Sequence, residues 1–281
     1  MWIANDISDF RKQRQALEGS VALVPTMGAL HRGHLSLIAL AKAKCEHVVV
    51  SIFVNPTQFA PHEDFDKYPR PLKHDLALCK EAGVAGIFNP SSEQMYPPGL
   101  VACDVAVPEI ARELEGASRP DHFAGVCRVV AKLFHIVQPS AAVFGQKDLQ
   151  QLLILKAMVE DLNFPIEMIA GPTLREADGL AMSSRNVYLT PEGRRHALGL
   201  AKALAEARVM VRELGESDPQ AVEAAMARTM TAHHMTLDYA VIRHARTLAQ
   251  VECVDPDAGD GVAAILAARI DGVRLIDNAI L

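Results

Sequence analysis

His31 and His34 stand three residues apart in the stretch Val21-Ala-Leu-Val-Pro-Thr-Met-Gly-Ala-Leu-His-Arg-Gly-His34, and two imidazoles at that spacing can donate to one anionic group. Gly28 and Gly33 beside them let a ligand approach the backbone closely. Further along, Lys147 and Asp148 follow Gly145 and Gln146, with Gln151 one turn on. Asn55 and Gln58 share the turn Asn55-Pro-Thr-Gln-Phe59, and Ser183, Ser184 and Arg185 follow Met182. Cations, hydroxyls and amides dominate this set. It contains no Ser-His-Asp arrangement, no metal cage and no Gly-x-x-x-x-Gly-Lys-Ser/Thr phosphate loop. Such a mix suits a nucleoside triphosphate whose charge has to be neutralised while a second anion attacks it. An isolated His-x-x-His is more often a surface or core feature than a site. Here it lies at the mouth of a strand-to-helix turn, where N–H groups and the helix dipole favour phosphate, and that reverses the weighting. Lysines are usually only solvated; Lys147 is set apart by following a strand at the same ligand edge.

The elements that must position these residues can be read in order. A helix over 6–18 precedes the apolar run Val21–Val24, which Pro25 bounds as a short buried strand, and a helix follows to about Lys44. His47–Val54 is almost wholly apolar and rich in β-branched residues, as a strand covered on both faces should be. Strand, helix, strand makes a βαβ unit, hence a parallel sheet with right-handed crossovers and ligands at the carboxyl ends of its strands. A polar, proline-punctuated loop over 60–71 reads as a lid or an ordinary surface loop. Then come a helix over 72–82, a strand over 85–88, a strand over 101–107, an amphipathic helix over 122–137, a strand over 141–144 and a last strand over 166–170. From Pro191 two helices, 191–214 and 219–234, precede strands over 237–242, 262–268 and 275–281. The expected fold class is α/β: a Rossmann-like parallel sheet with helices on both faces, over residues 1–173, and a smaller C-terminal α+β domain over 174–281 that closes over the active site. Ser183–Arg185 then falls at the cleft between them.

At 281 residues the chain spans one to two domains. Its 50% hydrophobic and 22% charged content is ordinary for a globular protein, which excludes disorder and a coiled coil. A net charge of -6 argues against a duplex nucleic acid partner. The five cysteines are scattered with no Cys-x-x-Cys pair, as expected of reduced thiols. The first residues lack a signal-peptide pattern, and no apolar run approaches the roughly 18 residues of a membrane span, so the expected location is cytoplasmic.

Met27-Gly-Ala-Leu-His-Arg-Gly-His34 resembles the His-x-Gly-His signature of the nucleotidylyltransferase and class I aminoacyl-tRNA synthetase superfamily, and Met182-Ser-Ser-Arg185 resembles its second phosphate-binding loop. Taken with Phe53-Val-Asn-Pro-Thr-Gln-Phe59, Glu63-Asp-Phe-Asp-Lys-Tyr-Pro-Arg70, Leu114-Glu-Gly116, His122-Phe-Ala-Gly-Val126 and Phe144-Gly-Gln-Lys-Asp-Leu-Gln-Gln151, the chain is similar to the pantoate-beta-alanine ligase family. The resemblance runs in order from about residue 20 to 190 and more loosely beyond.

It implies ATP-dependent condensation of (R)-pantoate with β-alanine to pantothenate, AMP and diphosphate through a pantoyl adenylate. Carried over by motif, Met27, Gly28, Ala29, Leu30, His31, Arg32, Gly33 and His34 would contact ATP, as would Gly145, Gln146, Lys147, Asp148, Leu174, Met182, Ser183, Ser184 and Arg185. Within that set His34 (the implied proton donor), His31, Lys147 and Arg185 would be catalytic. Gln58, Gln151, Asn55 and Tyr68 would bind the substrates, Gln58 serving both pantoate and β-alanine. The family also implies Mg²⁺, helped by Asp75, and a homodimer formed by the larger domain. The chain departs from the family pattern at Gln146, Asp121, Pro71, Arg128 and His135. Two rival readings have different chemistry: a nucleotidylyltransferase acting on a phosphate ester, which would want more basic residues than Gln58 and Gln151 provide, and a non-catalytic nucleotide-binding sensor.

Overall fold

The computed structural model describes residues 1–60, 63, 65–107, 109–257 and 259–281. The chain divides into two compact units, one made of Met1–Gln146 with Gln150–Pro172, the other of Lys147–Leu149 with Thr173–Leu281.

In the first unit the elements run β1 (Trp2–Ala4), α1 (Ile7–Gln15), β2 (Val21–Thr26), α2 (Arg32–Lys44), β3 (His47–Ile52), α3 (Leu72–Glu81), β4 (Gly86–Phe88), α4 (Ser92–Met95), α5 (Glu115–Ser118), α6 (His122–Val137), β5 (Ala141–Gly145), α7 (Leu149–Asp161) and β6 (Glu167–Gly171). Six strands form one sheet in the order β1-β4-β3-β2-β5-β6, every pair parallel. The alternation of a strand sorts its side chains between two cores. Val21, Leu23, Val49, Ala142 and Phe144 face one that includes Phe10 of α1 and most of α6. Ala22, Val24, Val48, Val50, Ala141 and Val143 face the other, with Ile38 of α2 and Cys79 of α3. Helices therefore cover both faces, as a parallel sheet requires. Strand order reverses between β2 and β5, so the turns after these two strands open on the switch point where such sheets bind ligands.

Three local features differ from the sequence reading. β2 does not stop at Pro25 but runs to Thr26; its ladder with β5 ends at Leu23, so the missing proline N–H costs no rung on that side. β1 is an extra edge strand of three residues, too short to carry a periodic signal. The expected strand over 101–107 does not form, because the run meets no ladder partner; Val105 and Val107 pack on the α6-side core as irregular chain. Of the loop over 60–71, Pro61, His62 and Asp64 lie outside the described residues.

The second unit holds α8 (Pro191–Arg212), α9 (Pro219–Ala232) and an antiparallel sheet β7-β8-β9 (Thr236–His244, Val262–Ile270 and Val273–Ile280). α8 and α9 lay Leu200, Leu204, Val222 and Met226 on Ile242, Leu266 and Leu275 of the sheet.

Candidate functional site

β2 ends in a tight turn. Thr26 closes it: its hydroxyl donates to the Ser51 carbonyl of β3 at 2.8 Å and accepts from Gly28 N–H at 3.1 Å. Gly28 has φ +83°, and a Cβ there would lie 3.0 Å from an Asp75 carboxylate oxygen, so both its conformation and its neighbour call for glycine. Ala29 follows, also at positive φ, +51°. What holds this left-handed pair is Asp75 of α3, 1% exposed, whose two oxygens accept separately from Ala29 N–H at 2.9 Å and Leu30 N–H at 2.8 Å. Each such charge-assisted bond contributes about 1.5–3 kcal/mol. Asp75, expected to help hold Mg²⁺, thus braces the turn through both of its oxygens. Among the described residues there is no group of three or more His, Cys, Asp or Glu side chains that could hold a metal ion.

α2 starts with a reciprocal cap made of histidines. His31 Nδ1 accepts from Gly33 N–H at 3.1 Å, His34 Nδ1 accepts from His31 N–H at 3.3 Å, and the two rings lie 4.2 Å apart. A nitrogen that accepts carries no proton. Both imidazoles are therefore neutral in this arrangement, with the hydrogen on Nε2, and each offers a donor without a full charge.

Beside this turn β3 leads into a 3₁₀ turn, Pro56–Gln58, and the Gln58 amide nitrogen donates to Met27 Sδ at 3.0 Å. The turn after β2 and the side chain of Gln58 thus touch. Asn55, expected among the substrate ligands, makes its bonds within the protein. It is 1% exposed; its Nδ2 donates to Gln58 Oε1 at 3.1 Å and to the Gly125 carbonyl at 3.2 Å, while Oδ1 accepts from Thr57 Oγ1 and from Tyr96 OH at 2.9 Å. Both donors of an amide are then spent inside the protein. Tyr68 is buried too, its ring 6.1 Å from Phe59 and edge-on to it. The adjacent amides of α7 divide in the same way: Gln150 is buried and tied to Glu115 N–H and to the carbonyls of Ile110 and Glu113, whereas Gln151 is half-buried.

Sequence reasoning gave no role to a cluster at the start of α6. Arg119 pairs with Glu63 through two bonds, 2.5 and 2.7 Å, and donates to the Gln58 carbonyl at 3.1 Å, which also accepts from His122 Nδ1 at 2.8 Å. Burial, then the Arg119 charge, push the His122 imidazole down to about 4. Burial raises the Glu63 carboxyl, but its bonds to Arg119 outweigh this and leave it below the usual range. The departure Arg128 is absorbed by stacking: its guanidinium sits 4.9 Å from the Tyr96 ring centre. Asp121 has φ −93°, a conformation open to any residue, so a glycine is not required there.

In the second unit, Ser183 caps a 3₁₀ turn, Ser184–Tyr188, by accepting from Arg185 N–H at 3.3 Å. The segment before it is fixed by Arg175, which makes a bidentate pair with buried Asp277, and by Arg194, which bridges Glu176 and Asp178 at 2.8 Å each. Leu174 belongs to this segment, its carbonyl accepting from Met182 N–H. Lys147 lies in the 3₁₀ turn Gln146–Asp148 after β5, and Asn278 of β9 donates to its carbonyl at 2.8 Å.

Comparison with known proteins adds an independent line. The family model for pantoate-beta-alanine ligase matches residues 2–280. A pantothenate synthetase of Pelotomaculum thermopropionicum is 48% identical over 285 aligned residues, which take in 100% of this chain and 99% of that protein. Among solved structures, the pantothenate synthetase of Thermus thermophilus superposes with a TM-score of 0.93 at 45% identity, covering 100% of this chain and 99% of the other. A pantoate-beta-alanine ligase from Francisella tularensis, solved in complex with beta-gamma ATP and beta-alanine, superposes with a TM-score of 0.82 at 35% identity, covering 100% and 97%.

Proposed function

We propose, on the premise that the chain belongs to the pantoate-beta-alanine ligase family and is a carbon-nitrogen ligase, that it joins pantoate to β-alanine at the expense of ATP through the residues described above. The observation that carries the assignment of roles is the contact between Gln58 and Met27: the amide that reads pantoate touches the turn that receives the nucleotide. In the first step a pantoate carboxylate oxygen attacks the α-phosphorus of ATP and pyrophosphate leaves. Attack of anion on anion is governed by placement and by charge neutralisation. His31 and His34 contribute neutral Nε2–H donors, and the full positive charges are those of Lys147 and Arg185. The amides of Gln58 and Gln151, each with donors and an acceptor, suit a hydroxyl and a carboxylate together. In the second step the neutral amine of β-alanine attacks the carbonyl of pantoyl adenylate, AMP departs, and the ammonium formed sheds a proton. No covalent enzyme intermediate is required.

Mg²⁺ would accompany the ATP phosphates on this reading and would add positive charge beside the departing pyrophosphate. Ser183, Ser184 and Arg185 of the smaller domain, residues 174–281, contact the nucleotide on this reading. The enzyme works as a cytoplasmic homodimer; in support of a second copy, the adjacent apolar residues Leu100 and Val101 are 71% and 97% exposed. No described helix is long and apolar enough to cross a membrane.

The test is exchange of labelled pyrophosphate into ATP without β-alanine. The first step is reversible, so exchange should occur and should require pantoate. A transferase acting on phosphate esters would show no pantoate dependence, and a sensor would show no exchange. Absence of both this exchange and AMP formation with all three substrates would overturn the reading.

A further inference from the structure

The side chain of Gln58 is only one of two handles by which the protein holds this residue. Its carbonyl accepts from Arg119 Nη2 at 3.1 Å and from His122 Nδ1 at 2.8 Å. Arg119 Nη1 also lies 3.2 Å from His122 Nε2. A guanidinium only donates, so Nε2 accepts and the ring hydrogen sits on Nδ1, aimed at the Gln58 carbonyl. This is the opposite tautomer from that of His31 and His34. Arg119 is itself fixed by the two oxygens of Glu63, one of which accepts from Ala60 N–H at 3.1 Å. The backbone is built for the approach: at Gly125 a Cβ would lie 2.2 Å from the Thr57 carbonyl oxygen and 2.9 Å from Gln58 N.

We infer that Glu63, Arg119 and His122 are positioning residues that clamp the Gln58 carbonyl to the start of α6 and so fix the reach of the Gln58 amide toward pantoate. The inference rests on the reading of Gln58 as the pantoate ligand. The clamp needs an uncharged His122, since an imidazolium would set Nε2–H against the Arg119 N–H. The charged groups around the ring are Arg119, Glu63 and Glu115, and its depressed protonation keeps it neutral across ordinary pH.

Three variants test this. In His122→Asn the amide nitrogen replaces Nδ1; in His122→Gln it falls one bond further out and misses the carbonyl; Glu63→Gln removes the charge and one of the two acceptors that fix Arg119. Pantoate and ATP KM values come from pyrophosphate exchange without β-alanine, and amide hydrogen exchange reports on residues 56–60. The expected result is a rise of about tenfold in pantoate KM for His122→Gln and Glu63→Gln, the scale of one lost hydrogen bond. ATP KM should stay within about twofold, protection of the Gln58 and Phe59 amides should fall, and His122→Asn should restore both toward wild type. Unchanged pantoate KM and protection would overturn the clamp, as would a defect confined to β-alanine KM in the full reaction or an Asn variant as poor as the Gln variant. Failure of the functional reading has a different signature, no pantoate-dependent exchange in the wild type. Amide protection alone then decides whether Gln58 is clamped.

Discussion

Each imidazole of the His31–His34 pair gives one nitrogen to the backbone and leaves its hydrogen on the other, so the pair stiffens the helix start while presenting donors. Charge for the triphosphate then falls on Lys147 and Arg185, and Lys147→Met should lower pantoate-dependent pyrophosphate exchange by roughly 10²-fold, the scale of one lost transition-state contact. An unchanged exchange rate would remove Lys147 from the chemistry. Asp75 makes a sharper case, because the brace and the metal roles predict different things. Asp75→Asn keeps one acceptor but turns an NH₂ group toward a backbone N–H, so it should cost about 1–3 kcal/mol of stability. It should also raise ATP KM, while the Mg²⁺ concentration giving half-maximal rate at saturating ATP stays put. A large shift in that Mg²⁺ requirement would return Asp75 to the metal. The turn that carries His31 and His34 was legible in the sequence, because an apolar run breaking into glycines before a helix already constrains where it lies. Asp75 and Asn55 were not: their oxygens and amide are spent on Ala29, Leu30 and Gly125, partners that only the fold brings near.

Elements were legible where periodicity is strong. α6 matches its expected range, since the spacing of its apolar residues over 122–137 admits no other structure, and the βαβ order alone dictated a parallel sheet. Short or unpartnered runs were not: β1 is three residues long, and the apolar alternation over 101–107 promised a strand for which the sheet offers no partner. Also invisible was the close approach of α6 to the 3₁₀ turn Pro56–Gln58, which depends on one hydrogen in place of a side chain. Gly125→Ala should push that turn off the helix, because the atoms its methyl would strike belong to the backbone and cannot rotate away. We expect pantoate KM to rise by more than about tenfold, the worth of 1.4 kcal/mol, with a smaller change for ATP. Equal loss for both substrates would show the helix, not the turn, to be the element displaced.

For the molecule as a whole, the groups that order the Pro56–Gln58 turn also set how stability responds to acid. His122 is depressed from the usual 6.5 to about 4, first by burial and then by Arg119, so in the folded state it resists a proton that the unfolded chain accepts. Between these two values the unfolded state binds more protons, and stability must fall as pH falls. Above about 6.5 the ring is neutral in both states and contributes no slope. A displacement of this size corresponds to a few kcal/mol, lost progressively from pH 6.5 down toward 4. Glu63 acts in the same direction lower down: its folded carboxyl is held below 4.5 by Arg119 despite burial, so its stabilising effect is present above 4.5 and lost as pH drops through its folded value. Acid should therefore weaken the protein in two stages, histidine first. Urea unfolding at pH 7, 6 and 5 separates them, since of the two only the histidine contributes between 6.5 and 5. The wild type should lose stability across that interval, and His122→Asn, which keeps a donor toward Gln58 but cannot titrate, should show a visibly flatter dependence. Parallel curves for the two proteins would mean that folding leaves the proton affinity of His122 unchanged, so that mild acid would charge the ring in the folded state and break the geometry that aims Nδ1–H at the Gln58 carbonyl.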